Sequence, residues 1–136
     1  MSEVSTSPSA PFSSAVGCRA REVLDLVANK WSLGVVDTLG AGPLRFGELK
    51  RNVGGISQRM LTVTVRELER EGILTRTVYA VMPPNVTYEL TPMGRTLLDA
   101  TRLIIQWSLK NIAAIDAARA EFDARANESK ENQGPL

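Results

Sequence analysis

Ser57, Gln58, Arg59, Thr62, Val63 and Arg66 crowd one short stretch of the chain. At helical spacing, all but Ser57 fall on the side away from Leu61, Val65 and Leu68, which recur at i, i+4 and i+7 as a core-facing stripe. That outer face has the chemistry of base recognition. Arginine pairs bidentately with guanine, glutamine with adenine, and valine or threonine methyls meet the thymine methyl. Ser57 and the free N–H groups of a first helical turn suit a phosphate. The other reactive group is Cys18, the single cysteine. Near a helix start and beside Arg19 and Arg21, the reactive thiolate is favoured. A small buried apolar residue is the competing reading. A lone thiol can form an adduct or a bridge to a second subunit, but no intrachain disulfide.

Histidine is absent, which removes Ser-His-Asp and Cys-His catalysis and His-containing zinc sites. No glycine-rich phosphate loop, metal-ligand cluster or nucleophile–base pair occurs, so the chain reads as a non-enzyme without cofactor or metal. Its 136 residues, 43% of them apolar, suffice for one domain with a real core. A formal charge of +1 is too small for a general polycation, so attraction to nucleic acid must be local. Residues 45–70 carry six basic side chains against three acidic ones, whereas residues 111–136 carry three against five.

The elements that must position these groups follow from periodicity and breakers. Val23, Leu24, Leu26 and Val27 predict a short helix over about 19–28, with Cys18 ahead of it. Trp31, Leu33, Val35, Val36 and Leu39 predict a second, stopped by Gly40-Ala41-Gly42-Pro43. Phe46 and Leu49 mark a third over about 45–52, closed by Val53-Gly54-Gly55. Ser57 caps a fourth over residues 57–71, which Gly72 stops. The period then changes. Residues 73–79 and 86–90 are rich in β-branched and aromatic types and predict a hairpin with Met82-Pro83-Pro84-Asn85 at its tip. Thr91 as N-cap and Pro92 at the first helical position open a last helix to about residue 125.

This order predicts an α+β, mostly α fold: a winged helix-turn-helix with a long C-terminal dimerisation helix. In such a unit the second helix of the motif enters the major groove and the hairpin reaches flanking backbone or minor groove. A last helix of this length spans about 50 Å, whereas a compact chain of this size has a radius of gyration of about 14 Å. Its apolar residues are too many for water, and a second copy is the economical cover, with Ile104, Trp107, Leu109, Ile112 and Ile115 at the interface. A helix broken near Lys110-Asn111 and packed within its own chain is the alternative. Residues 1–14 predict a disordered leader, 15–126 one DNA-binding and dimerisation domain, and 127–136 a flexible tail. Without a signal-peptide pattern or a membrane-length apolar run, a cytoplasmic protein with no membrane partner is expected.

Cys18, Asn29-Lys30-Trp31-Ser32-Leu33, Gly42-Pro43-Leu44-Arg45-Phe46-Gly47-Glu48-Leu49 and Ile56-Ser57-Gln58-Arg59-Met60-Leu61 form an ordered set. Leu68-Glu69-Arg70-Glu71-Gly72-Ile73, Pro83-Pro84-Asn85-Val86-Thr87-Tyr88 and Leu90-Thr91-Pro92-Met93-Gly94-Arg95 continue it. Over residues 18–110 this set resembles the HxlR family of bacterial transcriptional regulators. The resemblance implies a homodimer of MarR-like architecture, a repressor or activator on a pseudo-palindromic operator in double-stranded DNA. It implies that Ser57, Gln58 and Arg59 begin the recognition helix, that Arg45 opens the helix before it, and that Pro83-Pro84-Asn85 forms the wing tip. The expected DNA-contacting set is Arg45, Ser57, Gln58, Arg59, Thr62, Arg66, Pro84 and Asn85; Trp31, Phe46, Leu49 and Pro43 are expected to be structural. It further implies that Cys18 senses a small electrophile or oxidant, although Arg19 stands where many relatives carry proline. A second class of function uses the same fold: a module whose 45–70 surface meets an acidic protein and no DNA. Sequence-selective DNA binding by the purified protein separates the two.

Overall fold

A computed structural model describes residues 12–132. The chain divides into two compact units, Met1–Asp99 and Ala100–Leu136. In the first, α1 (Ala15–Val27) is capped by Ser14, whose hydroxyl accepts from the Gly17 N–H. That cap starts the helix before its apolar periodicity begins, so Cys18 lies inside the helix and not ahead of it. Helix α2 (Lys30–Leu39) is capped by Asn29, whose Oδ1 accepts from the N–H groups of Trp31 and Ser32. A two-residue strand, β1 (Leu44–Arg45), leads directly into α3 (Phe46–Val53).

Helix α4 (Gln58–Arg70) is held at both ends. Ser57 Oγ accepts from the Met60 N–H at 3.0 Å. At the other end Gly72 takes φ +79°, a value costly for any residue with a Cβ. Its N–H donates to Glu69 O and that of Ile73 to Leu68 O, the paired bonds of a Schellman stop. Strands β2 (Leu74–Tyr79) and β3 (Asn85–Leu90) then form the hairpin, and the antiparallel sheet has the order β1-β3-β2. Asn85 pairs with Tyr79 and so opens β3; it does not belong to the wing tip, where its neighbouring prolines had placed it. Sequence reading also missed β1, whose Leu44 and Arg45 pair with Tyr88 and Thr87.

The core lies between α2, α3 and α4 and one face of this sheet. Val35, Val36, Leu39, Leu49, Leu61 and Leu68 are fully buried there, with Leu74, Tyr88 and Leu90 contributed by the strands. Trp31 and Phe46 pack at its margin, as expected of structural positions. Helix α5 (Pro92–Asn132) starts at a tight joint. The Thr91 N–H donates to Ile73 O, Thr91 Oγ1 donates to Gly72 O, and the same oxygen accepts from the Gly94 N–H. Gly94 is buried so closely that a Cβ there would overlap the Ile73 carbonyl oxygen.

In the second unit α5 is unbroken through residues 110–111, where Asn111 Nδ2 bonds back to Trp107 O at 2.8 Å. It also passes the expected end near 125 and the polar run from 127, reaching Asn132. Alanine-rich composition and the Arg125–Glu121 pair at i, i+4 favour that continuation over fraying. Of the predicted leader and tail, residues 1–11 and 133–136 lie outside the described residues. No helix among the described residues is long and apolar enough to cross a membrane.

Candidate nucleic-acid interface

Burial sorts α4 as its periodicity demands. Leu61, Thr64, Val65 and Leu68 face the core, while Gln58, Arg59, Thr62, Val63 and Arg66 are exposed. At about 100° per residue, Arg59, Arg66 and Arg70 fall on one line along the outermost side. Arg70 was not singled out from sequence; it pairs with Glu71 at 3.1 Å. Two expected groups have less to offer than their types suggest. The Ser57 oxygen is engaged by its own helix cap. Thr62 Oγ1 donates to Gln58 O at 2.9 Å, which commits its proton and leaves the methyl and one lone pair outward.

The rest of the expected set is dispersed. Arg45 precedes α3 with an exposed side chain, and its N–H is held by Glu48 Oε1 at 3.0 Å. Pro84 is exposed at the hairpin tip, and Asn85 is half-buried at the first rung of β3. The tip itself is apolar. Val78, Tyr79 and Val81 are exposed, and Met82 is 96% accessible. No lysine or arginine occurs between Arg76 and Arg95.

Between α4 and the hairpin stem lies an open cleft of about 550 Å³, lined by Gln58, Thr62, Arg66 and Glu69 from the helix and Arg76 and Tyr88 from the strands. Phe46 closes one side, its ring 6.4 Å from that of Tyr88 and tilted by 56°. Burial pushes the Tyr88 phenol above its ordinary pKa; Arg76 opposes that rise and Glu69 adds to it. Sequence reading passed over Arg76. The available signal was alternation: Leu74, Arg76 and Val78 share one row of β2, where a charge breaks the apolar pattern.

Cys18 is half-buried, and Arg21 Nη2 donates to its sulfur at 3.3 Å. Arg19, the other expected neighbour, pairs with Glu22 at 2.9 Å instead. Among the described residues no cluster of three or more His, Cys, Asp or Glu could hold a metal. Helix α1 leaves Val16, Val23 and Leu24 exposed, beside an exposed Phe12. On α5, Ile104, Trp107, Leu109 and Ile112 are exposed and Ile115 half-buried; Leu103, not foreseen, joins them. Leu103 and Ile112 lie on opposite sides of the helix at about 100° per residue.

Comparison with known proteins agrees with this architecture. The sequence pattern of the HxlR-like helix-turn-helix family matches residues 26–116. The HTH-type transcriptional regulator YtfH of Escherichia coli (strain K12) is 36% identical over 104 residues, covering 76% of this chain and 82% of its own. Among solved structures, the transcriptional regulator ytfH from Salmonella typhimurium superposes with a TM-score of 0.70 at 37% identity, over 74% of this chain and 90% of that one. The oxidized form of the redox regulator HypR gives 0.65 at 39%, over 69% and 97%. Such identity across most of the chain goes beyond a shared fold, and the protein belongs to the HxlR-like helix-turn-helix family of transcriptional regulators.

Proposed function

We infer that the protein binds double-stranded DNA sequence-specifically, as a homodimer, with α4 in the major groove. The reading rests chiefly on α4: a helix capped at both ends, its inner face locked in the core, its outer side a line of arginines beside Gln58 and Val63. Its function is recognition rather than catalysis, carried out in the cytoplasm. Dimerisation is supported by α5, since a helix apolar on several sides requires cover. Two-fold symmetry then sets paired half-sites about 34 Å apart, or a multiple of that.

An electrophoretic shift with the DNA upstream of its own gene tests the reading. A salt-sensitive, sequence-selective shift is expected, and its absence at every protein concentration would overturn it. Arg59→Ala is expected to weaken specific binding by about 1–3 kcal/mol. An equal loss on random DNA would reassign Arg59 to a phosphate.

Cys18 is the proposed thiol input, with Arg21 against its sulfur and a likeness to a redox regulator solved in oxidized and reduced forms. Diamide is expected to change operator affinity in the native protein and leave Cys18→Ser unchanged. The same response in both would remove Cys18 from the mechanism.

A further inference from the structure

The hairpin of a winged helix-turn-helix is expected to touch DNA through its tip, yet this tip carries no cation. Arg76, at the stem, is the only positive side chain from residue 74 to residue 94. It stands directly opposite Tyr88 in the β2–β3 register, on the sheet face that elsewhere meets the core. There the sheet and α4 diverge, and Arg76 shares the resulting cleft with Arg66. Both residues are exposed, and among the described residues neither forms an ion pair or a side-chain hydrogen bond. Two unpaired cations facing one open space form a site for an oxyanion.

Duplex geometry suggests which oxyanion. A helix in the major groove and a hairpin directed at the neighbouring minor groove must straddle the sugar–phosphate ridge between the grooves. In this fold the gap between those two elements is the cleft. We propose that Arg66 and Arg76 together seat one backbone phosphate of the bound DNA, making the wing stem, and not its tip, the electrostatic arm of the wing. The proposal rests on the DNA-binding reading and deepens it. Arg66 then positions the helix and reads no base, leaving readout on α4 to Arg59, Gln58 and Val63. Glu69 lines the same cleft and opposes the phosphate, so its neutralisation should favour binding.

Salt titrations of the full-length protein, on its upstream DNA and on a random-sequence duplex, provide the test. Arg76→Gln is expected to lower affinity about tenfold on both DNAs and to reduce the slope of log K against log salt by about 0.9. Arg76→Lys should keep the native slope, and Glu69→Gln should tighten binding to both DNAs several-fold. If Arg76→Gln folds poorly, the Arg76→Lys and Glu69→Gln pair still decides. A native slope in Arg76→Gln, with the native protein binding DNA normally, overturns the phosphate seat and leaves the DNA reading intact. Failure of the native protein to bind either duplex overturns both. Inorganic phosphate shifting the Nε resonances of Arg66 and Arg76 in a protein that binds no DNA would assign the cleft to a free anion instead, against the proposal.

Discussion

Ile112→Glu should convert the protein to a monomer and weaken operator binding by about a hundredfold to ten-thousandfold, the advantage that two linked half-site contacts hold over one. Ile112 is 50% accessible on α5. A glutamate there costs the isolated helix little, because Glu is a good helix former. In a dimer covering that face, the same carboxylate would be carried into an apolar interface without a partner. Sedimentation of both proteins should therefore show halved mass with unchanged helix content, while the residual affinity becomes that of one half-site. A native protein that sediments as a monomer would refute the dimer reading. So would an Ile112→Glu protein that stays dimeric with operator affinity intact.

Gly94→Ala is expected to destabilise the first unit by about 2–3 kcal/mol, a large share of the usual net stability of a domain. The new Cβ would meet the Ile73 carbonyl, a backbone group tied by the Thr91 N–H, and also the Leu90 side chain. The Leu90 methyl can give way but the Ile73 backbone cannot, so relief requires the start of α5 to move away from Ile73. Gly47→Ala is the control, since its Cβ meets only the end of Arg51 in ordinary contact. Gly47 lies in the first turn of α3, so alanine there should leave stability near native or raise it by at most about 0.5 kcal/mol. Denaturant unfolding measures both, and equal midpoints for the two variants would refute the steric account of the joint.

Elements with local causes were legible in the sequence. The Ser57 cap and the Gly72 stop bracket α4 because both act on adjacent backbone groups, and Thr91-Pro92 opens α5 for the same reason. Less legible were features whose cause lies far along the chain. Strand β1 has two residues and exists only because β3, some forty residues later, offers it a ladder. Asn85 looked like a turn residue beside two prolines until Tyr79 supplied its pair. The surface of α4 followed from period alone, but the cleft did not, since Arg76 and Arg66 come to line one space only after the sheet has folded back. The long final helix was legible in kind, and its persistence past residue 127 reflects summed helix propensity that the polarity of those residues masks.

The hydrogen bonds from Thr91 to Gly72 and Ile73 close the base of the hairpin, where Leu74, Tyr88 and Leu90 stay in the core, and only the outer rungs beyond them project. In engineering terms the outer end of the wing is an exchangeable cassette. Shortening it by one cross-strand pair, or grafting a tip of different chemistry between Tyr79 and Asn85, leaves the ends of α4 and α5 fastened to each other. A lineage could therefore retune what the wing touches while the helices that set register stay in place.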